Sequence, residues 1–421
     1  MADWLTALDR RAQLRARAGL SRRLRPRGAT DPVVDLAGND YLGLSRHPEV
    51  LAAAGRALPA YGLGATGSRL VRGSTDLHAS LETSLADWLG AGRALVFSSG
   101  YLANLGAVRA LVRPRTLLVS DAHNHASLID GCRLAGAETV VTPHNDVAAV
   151  RAALAAAPDR PAVVVTESIF SVDGDRAPLR ELHAAAREHG ALLLVDEAHA
   201  LGVRGPGGAG ELAAAGLSGA PDIVITATLS KALGGAGGVL AGPAELARHL
   251  IDTGRTFIYD TALPPAVAAG VLAAAGRARS TAGDGLRAES ADRAATAVRR
   301  LRAAGFEVPA PDAAVISVTA PGPEAAVAWA AACLDRGVAV GCFRPPSTPD
   351  SRSRLRLTVN AGLPRADFDR AIEVIVSCAP AGTAAPARAA GPDDTAGPDD
   401  TAGPDDTAGS DAGALARAVA R

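Results

Sequence analysis

Ile223-Val224-Ile225-Thr226-Ala227-Thr228-Leu229-Ser230-Lys231-Ala232-Leu233-Gly234-Gly235 carries the only lysine of this 421-residue chain. Lys and Arg together number 43, so the other 42 basic residues are arginine. Arginine replaces lysine as a surface cation but not as an amine. Its guanidinium stays protonated, whereas a desolvated lysine loses its proton and forms a Schiff base. A chance survivor on a solvated loop is the bland explanation. The position after an apolar run, ahead of paired glycines, argues instead for a covalent attachment point at Lys231.

Working upstream, Ala191-Leu192-Leu193-Leu194-Val195 is a second apolar run, ending in Asp196-Glu197-Ala198-His199. Both runs belong to an alternation that extends from about residue 77 to 245. The pattern predicts strands at 94–97, 116–120, 139–142, 162–166, 191–195, 223–226 and 238–241. Helices are expected at 77–89, 101–111, 146–156 and 178–189. Short apolar runs separated by helices mean an α/β fold with a mostly parallel, seven-stranded sheet between helices. Ligands of such sheets gather at the carboxyl ends of the strands. Ser98 to Tyr101, Asp121 to His125, Glu167-Ser168, Asp196 to His199 and Thr228 to Lys231 all fall there.

The flanks differ. Residues 3–25 read as an amphipathic helix with Leu5, Leu8 and Leu14 on one face, packed on the surface, and Val33 to Ala37 as a short strand. A helix over 288–302, strands at 315–318, 338–340 and 355–359 and a helix over 323–336 predict a smaller α+β domain. The expected division is 1–45 (N-terminal helix and strand, packing with the small domain), 46–285 (large domain), 286–380 (small domain) and 381–421 (disordered tail). In the tail Ala-Gly-Pro-Asp-Asp-Thr recurs three times from Ala390. Such hexapeptides lack the apolar residues that stacked repeats need.

Composition narrows the function. Net charge is -1, apolar residues make up 48% and aromatics 3%. No basic surface for nucleic acid and no apolar span for a membrane is expected. The four cysteines show no paired spacing, which fits reduced thiols in a cytoplasmic protein.

Three groups carry chemistry beside Lys231. Asp196 at a strand end and His199 suit pyridoxal phosphate, because a buried carboxylate keeps the pyridine nitrogen protonated; strand-end capping is the alternative. Ser98-Ser99-Gly100-Tyr101 is a small-residue turn opening a helix, where free N–H groups and the helix dipole favour a phosphate; an ordinary capping turn reads equally well. Asp121, His123 and His125 could be taken for a metal site, but alternate residues of an extended segment face opposite ways, and no metal is expected. Gly234 to Gly238 lacks the GxGxxG spacing of a dinucleotide site.

Taken in order, Asn39-Asp40-Tyr41-Leu42-Gly43-Leu44, Thr66-Gly67-Ser68-Arg69-Leu70, Ser98 to Asn104, His125-Ala126-Ser127-Leu128, Thr166 to Asp175, Asp196 to His199 and Arg354 to Thr358 resemble the α-oxoamine synthase family of fold-type I pyridoxal-phosphate enzymes. The resemblance runs from about residue 5 to 378. It implies a homodimer with shared sites and a decarboxylative condensation of an amino acid with an acyl thioester. L-Alanine with pimeloyl-CoA or pimeloyl-acyl carrier protein is the expected pair, with glycine- or serine-using siblings as the alternative. By the same resemblance Lys231, Asp196, His125 and His199 are catalytic. Gly100, Tyr101, Ser171, Thr228 and the partner-facing Thr261 join them in holding the cofactor. Arg22, Asn39, Ser347 and Arg356 face substrate, with Arg356 suited to a bidentate grip on a carboxylate.

Overall fold

The computed structural model describes residues 2–383 apart from 346 and 349. The repeat tail and what was expected of it lie outside them. Among the described residues the eleven strands are β1 (Val34–Leu36), β2 (Arg93–Phe97), β3 (Leu117–Asp121), β4 (Glu138–Thr142), β5 (Ala162–Glu167), β6 (Leu192–Asp196), β7 (Ile223–Thr228), β8 (Gly238–Gly242), β9 (Val315–Thr319), β10 (Val338–Phe343) and β11 (Arg354–Thr358).

Seven of them form one sheet in the order β2-β8-β7-β6-β5-β3-β4. From β4 to β7 every neighbour is parallel; β8 runs antiparallel to both β7 and β2. The expected mostly parallel sheet of seven strands is the one observed. Its central strands, β5 to β8, are largely apolar runs because helices cover both faces, whereas edge strand β4 is partly exposed. Alternate residues divide between two cores. Val119, Val164, Leu193, Val195 and Ile225 join one, while Leu118, Val165, Leu194 and Val224 join the other. Fully burying one such side chain stabilises the fold by about 1.5–3 kcal/mol.

A second sheet has the order β1-β10-β11-β9. N-terminal β1 pairs in parallel with β10, so the first and last parts of the chain share this unit. The helix Arg365–Ser377 packs there, and Trp329 Nε1 donates to Ile375 O at 2.8 Å.

The N-terminal helix differs from expectation. It spans Ala2–Arg17 rather than 3–25, because Gly19 takes a left-handed conformation (φ 65°) that ends it. Leu5, Leu8 and Leu14 are exposed rather than packed. Several helices escape the sequence patterns: Pro48–Tyr61, Ala126–Ala135, Ala244–Thr253, Pro265–Ala278 and Arg365–Ser377. Pro265–Ala278 buries mainly alanine, which gives no strong apolar period. The helix expected over 288–302 begins earlier, at Thr281. No helix among the described residues is long and apolar enough to cross a membrane.

Candidate active site

Lys231 sits three residues past the carboxyl end of β7, and its amine is 2.9 Å from His199 Nε2. Burial, with Arg356 nearby, lowers the amine to about 8, although Asp196 and Glu167 oppose the shift. His199 is buried as well; its desolvated ring, facing Lys231, is held well below the usual imidazole range. A neutral imidazole has one donor nitrogen and one acceptor.

The surrounding hydrogen bonds decide which is which. Tyr41 donates its hydroxyl proton to Asn39 Oδ1 at 3.1 Å, leaving its oxygen to accept from His199 Nδ1 at 2.6 Å. His199 Nε2 therefore accepts from Lys231. Asn39 Oδ1 also takes a bond from Arg356 Nη2 at 2.9 Å. Arg356 lies on β11, almost buried, with its guanidinium over the Phe343 ring. Its Nε has no partner, so the buried fork keeps a donor free.

Asp196 ends β6 and is buried. Its Oδ1 accepts from the Ala198 N–H at 2.9 Å and its Oδ2 from Asn104 Nδ2 at 2.7 Å. Asn104 is fully used: a second Nδ2 bond reaches Ser127 Oγ at 2.8 Å, and its Oδ1 accepts from Thr226 at 2.5 Å. Ser127 in turn donates its hydroxyl to His125 Nδ1 at 2.7 Å, and its N–H points at the same atom. His125 thus caps the helix Ala126–Ala135, with its proton on Nε2. Burial lowers its affinity for a second proton. The extended segment expected at 123–125 is instead a turn into that helix. His123 stacks on His144, and no group of three metal-ligating side chains occurs among the described residues.

The helix Gly100–Leu111 starts at this face, and Ser99 Oγ caps it by accepting the Leu102 N–H. A side chain at Gly100 would meet Thr228 Cβ at 3.0 Å and its Oγ1 at 3.2 Å, so only glycine leaves this space clear. Thr228 Oγ1 lies 2.7 Å from Ser230 Oγ. The result is a small cradle of hydroxyls and helix-terminal N–H groups beside Lys231, the chemistry an anionic phosphate requires. Tyr101 contributes its backbone there; its ring is exposed and its hydroxyl donates to Asp130.

Other expected residues sit at the periphery. Ser171 is half-buried in the turn after β5. Thr261 is exposed and bridges to Ser68 of the Thr66 to Leu70 motif. Arg22, in the stretch after the first helix, donates to Ser347 Oγ beyond β10 at 2.7 Å, bringing two expected substrate contacts together. Sequence reasoning left Tyr41, Asn104, Ser127 and Glu167 without individual roles. All four lie inside the motifs quoted above, but a buried polar network has no periodic signature. Glu167 lies beside Asp196 with Oε1 unpartnered.

Buried amine, buried carboxylate, hydroxyl cradle and a guanidinium with one unpartnered donor fit pyridoxal phosphate with an amino acid alongside. The family model described as aminotransferase class I and II matches residues 31–375. An 8-amino-7-oxononanoate synthase of Mycolicibacterium vanbaalenii is 55% identical over 372 residues, covering 88% of this chain and 96% of that protein. A serine palmitoyltransferase structure from S. paucimobilis carrying PLP and myriocin superposes with a TM-score of 0.83 at 30% identity, over 90% of this chain and 98% of that one. The 8-amino-7-oxononanoate synthase of Francisella tularensis gives 0.68 at 25% identity, over 82% and 97%.

Proposed function

The chain belongs to the aminotransferase class I and II family and uses pyridoxal phosphate, and from that premise we propose that it condenses L-alanine with a pimeloyl thioester, giving 8-amino-7-oxononanoate, CO2 and free thiol for biotin synthesis. The single observation that carries this reading is the 55% identity to an 8-amino-7-oxononanoate synthase along nearly that protein's whole length. The higher TM-score to a serine palmitoyltransferase favours a serine-using sibling, but at 30% identity it speaks chiefly for the shared fold.

In this reading the alanine α-carbon gives up its proton and bonds to the thioester carbonyl carbon, the C–S bond breaks to release the thiol, and the α-carboxylate leaves as CO2, its place on the α-carbon taken by a returning proton. The bound cofactor supplies an electron-withdrawing ring that stabilises charge on the α-carbon. Lys231 holds the cofactor aldehyde and, with its amine lowered to about 8, is a base matched to removing the α-proton at neutral pH, worth ~10²–10⁴-fold. Asp196, fixed by Asn104, keeps the proton on the ring nitrogen. His125 would pack on the bound ring, while His199 and Ser171 would bond its oxygen. Gly100, Tyr101 and Thr228 hold the phosphate. Arg356 grips the alanine carboxylate beside Asn39, and Arg22 with Ser347 faces the acyl donor. Thr261 would help hold the partner subunit's phosphate in a homodimer. The donor is pimeloyl-CoA or pimeloyl-acyl carrier protein, and the enzyme works in the cytoplasm.

The test is thiol release by the purified, cofactor-loaded protein given L-alanine and pimeloyl-CoA, with the product identified by mass. Release with serine or glycine and another acyl-CoA, and none with this pair, would replace the substrates and keep the family.

A further inference from the structure

A cluster of charged side chains lies outside the groups given roles above. His144 stands just beyond β4, between two carboxylates. Its Nδ1 is 2.9 Å from Asp121 Oδ1 and its Nε2 is 2.8 Å from Asp175 Oδ2. Asp121 ends β3, directly before the turn that carries His125, and Asp175 lies in the turn that carries Ser171. We propose that His144 is a positioning residue for the cofactor pocket: as an imidazolium shared by Asp121 and Asp175 it clamps the His125 turn to the Ser171 turn.

The geometry requires the charged ring. A carboxylate only accepts, so an imidazole bonded to one through each nitrogen must donate from both. Although burial opposes protonation, the two carboxylates raise the ring to about 9. A ring with both nitrogens protonated has no lone pair for a metal. Without the cation, Asp121 and Asp175 would face each other as like charges.

Its surroundings hold it from every side. His123 stacks on one face, with centroids 3.9 Å apart, and the edge-on Phe170 ring is at 4.4 Å. Burial and the neighbouring His144 keep His123 itself below the usual imidazole range, so it stacks as a neutral ring. Asn145 is held in the left-handed region and ties the same two acids, its N–H to Asp121 Oδ2 at 2.8 Å and its Nδ2 to Asp175 Oδ2 at 3.0 Å. The remaining acid of that turn, Asp173, pairs with Arg354 on β11 at 3.3 Å. The turn is closed internally by Phe170 N–H to Asp175 O at 2.9 Å and Gly174 N–H to Phe170 O at 3.0 Å. Asp121 and Asp175 are thus the carboxylates that bond His144, and His144 the ionisable link between the two turns.

A group whose pKa rises on folding contributes fully below its unfolded value and loses the contribution as pH climbs through the folded one. The clamp is therefore complete below about 6.5 and fades as pH rises through about 9.

The proposal rests on pyridoxal phosphate being the resident group, so two readouts are combined. The first is imidazole nitrogen NMR of the wild-type protein at pH 7.5. Both nitrogens of His144 protonated is the expected result, and a singly protonated ring overturns the clamp whatever the protein binds. The second is the rate at which loaded protein loses its cofactor absorbance on dilution. H144Q should lose it roughly ten-fold faster at pH 7.5, the equivalent of one strong charge-assisted bond pair. Wild type should accelerate through pH 9 while H144Q does not; Lys231 is common to both, so the difference between the profiles isolates His144. H144Q/D175N, which removes the exposed like-charge pair, should recover most of the retention. Equal loss rates for wild type and H144Q, or a double variant no better than the single, would overturn the proposal. A packing defect alone would not be repaired by D175N.

Discussion

Lys231 and Arg356 are the two ends of one hydrogen-bond chain. It runs from the Lys231 amine to His199 Nε2, from His199 Nδ1 to the Tyr41 oxygen, and from the Tyr41 hydroxyl to Asn39 Oδ1, which Arg356 Nη2 also reaches. The amine comes from the loop after β7 of the large sheet and the guanidinium from β11 of the small one. The residues assigned to cofactor and to carboxylate are therefore oriented by a single network that crosses between the sheets.

Tyr41 is the link whose loss is easiest to read. It is fully buried, and its hydroxyl proton is held up to about 12 by desolvation, with Arg356 opposing. Y41F leaves the His199 Nδ1 donor without its partner in a dry site, which costs about 1–3 kcal/mol. Denaturant melts of the cofactor-free protein should show that loss. An unchanged midpoint would mean that His199 finds another acceptor.

Lys231 should make cofactor uptake depend on pH. Only the neutral amine attacks an aldehyde, and this amine is lowered to about 8. The rate at which apoprotein takes up pyridoxal phosphate should climb close to ten-fold per pH unit below 8 and level off above it. A rate still climbing between pH 9 and 10 would place the amine at its ordinary value. K231R, which keeps the charge and lacks the nucleophile, should form no borohydride-reducible adduct.

Much of this site was legible because chemistry leaves residue types in fixed places: one lysine after a strand, one acid at the end of another, a glycine opening a helix. The sheet was legible for a similar reason, since strands buried on both faces must be apolar runs. Ala-rich helices such as Pro265–Ala278 were not, because alanine spread around the helix marks no face. The reach of Arg22 to Ser347 spans 325 residues of sequence and depends on Gly19 ending the first helix, and nothing local encodes it. Asn104 escaped for another reason: a buried amide declares its role only when its three partners, Asp196, Ser127 and Thr226, are in view.

Glu167 and Asp196 pair in register at the ends of β5 and β6, yet they should respond oppositely to the same change. Burial, then the neighbouring Asp196, pushes the Glu167 carboxyl well above its usual range. Burial thus favours its neutral form, of which the amide in E167Q is a near-isostere. A carboxyl raised on folding subtracts stability as pH rises above its unfolded value, and the amide does not. E167Q should keep near wild-type turnover and melt at or above the wild-type temperature at pH 8. D196N, which removes the acceptor assigned to the ring-nitrogen proton, should lose at least ~10²-fold in kcat, a loss of the size that removing one electrostatic stabiliser causes. Comparable losses in the two variants would show that Glu167 works as an anion.

Arg356 and Arg22 should separate the two substrates kinetically. Arg356 is buried, braced by Asn39 and Phe343, and keeps its Nε free. A lysine there is a point charge that cannot offer two parallel bonds. R356K should raise KM for alanine by roughly 10- to 150-fold, the equivalent of about 1.5–3 kcal/mol for a bond to a charged group, with KM for the thioester little changed. Arg22 is exposed at the Ser347 edge, where screening weakens each contact to about 1 kcal/mol or less. R22A should therefore raise KM for the thioester only up to about five-fold, and leave alanine untouched. Initial-rate grids over both substrates would decide it. A thioester effect in R356K larger than its alanine effect would exchange the two assignments and place the acyl carboxylate, not the amino acid's, at the buried guanidinium.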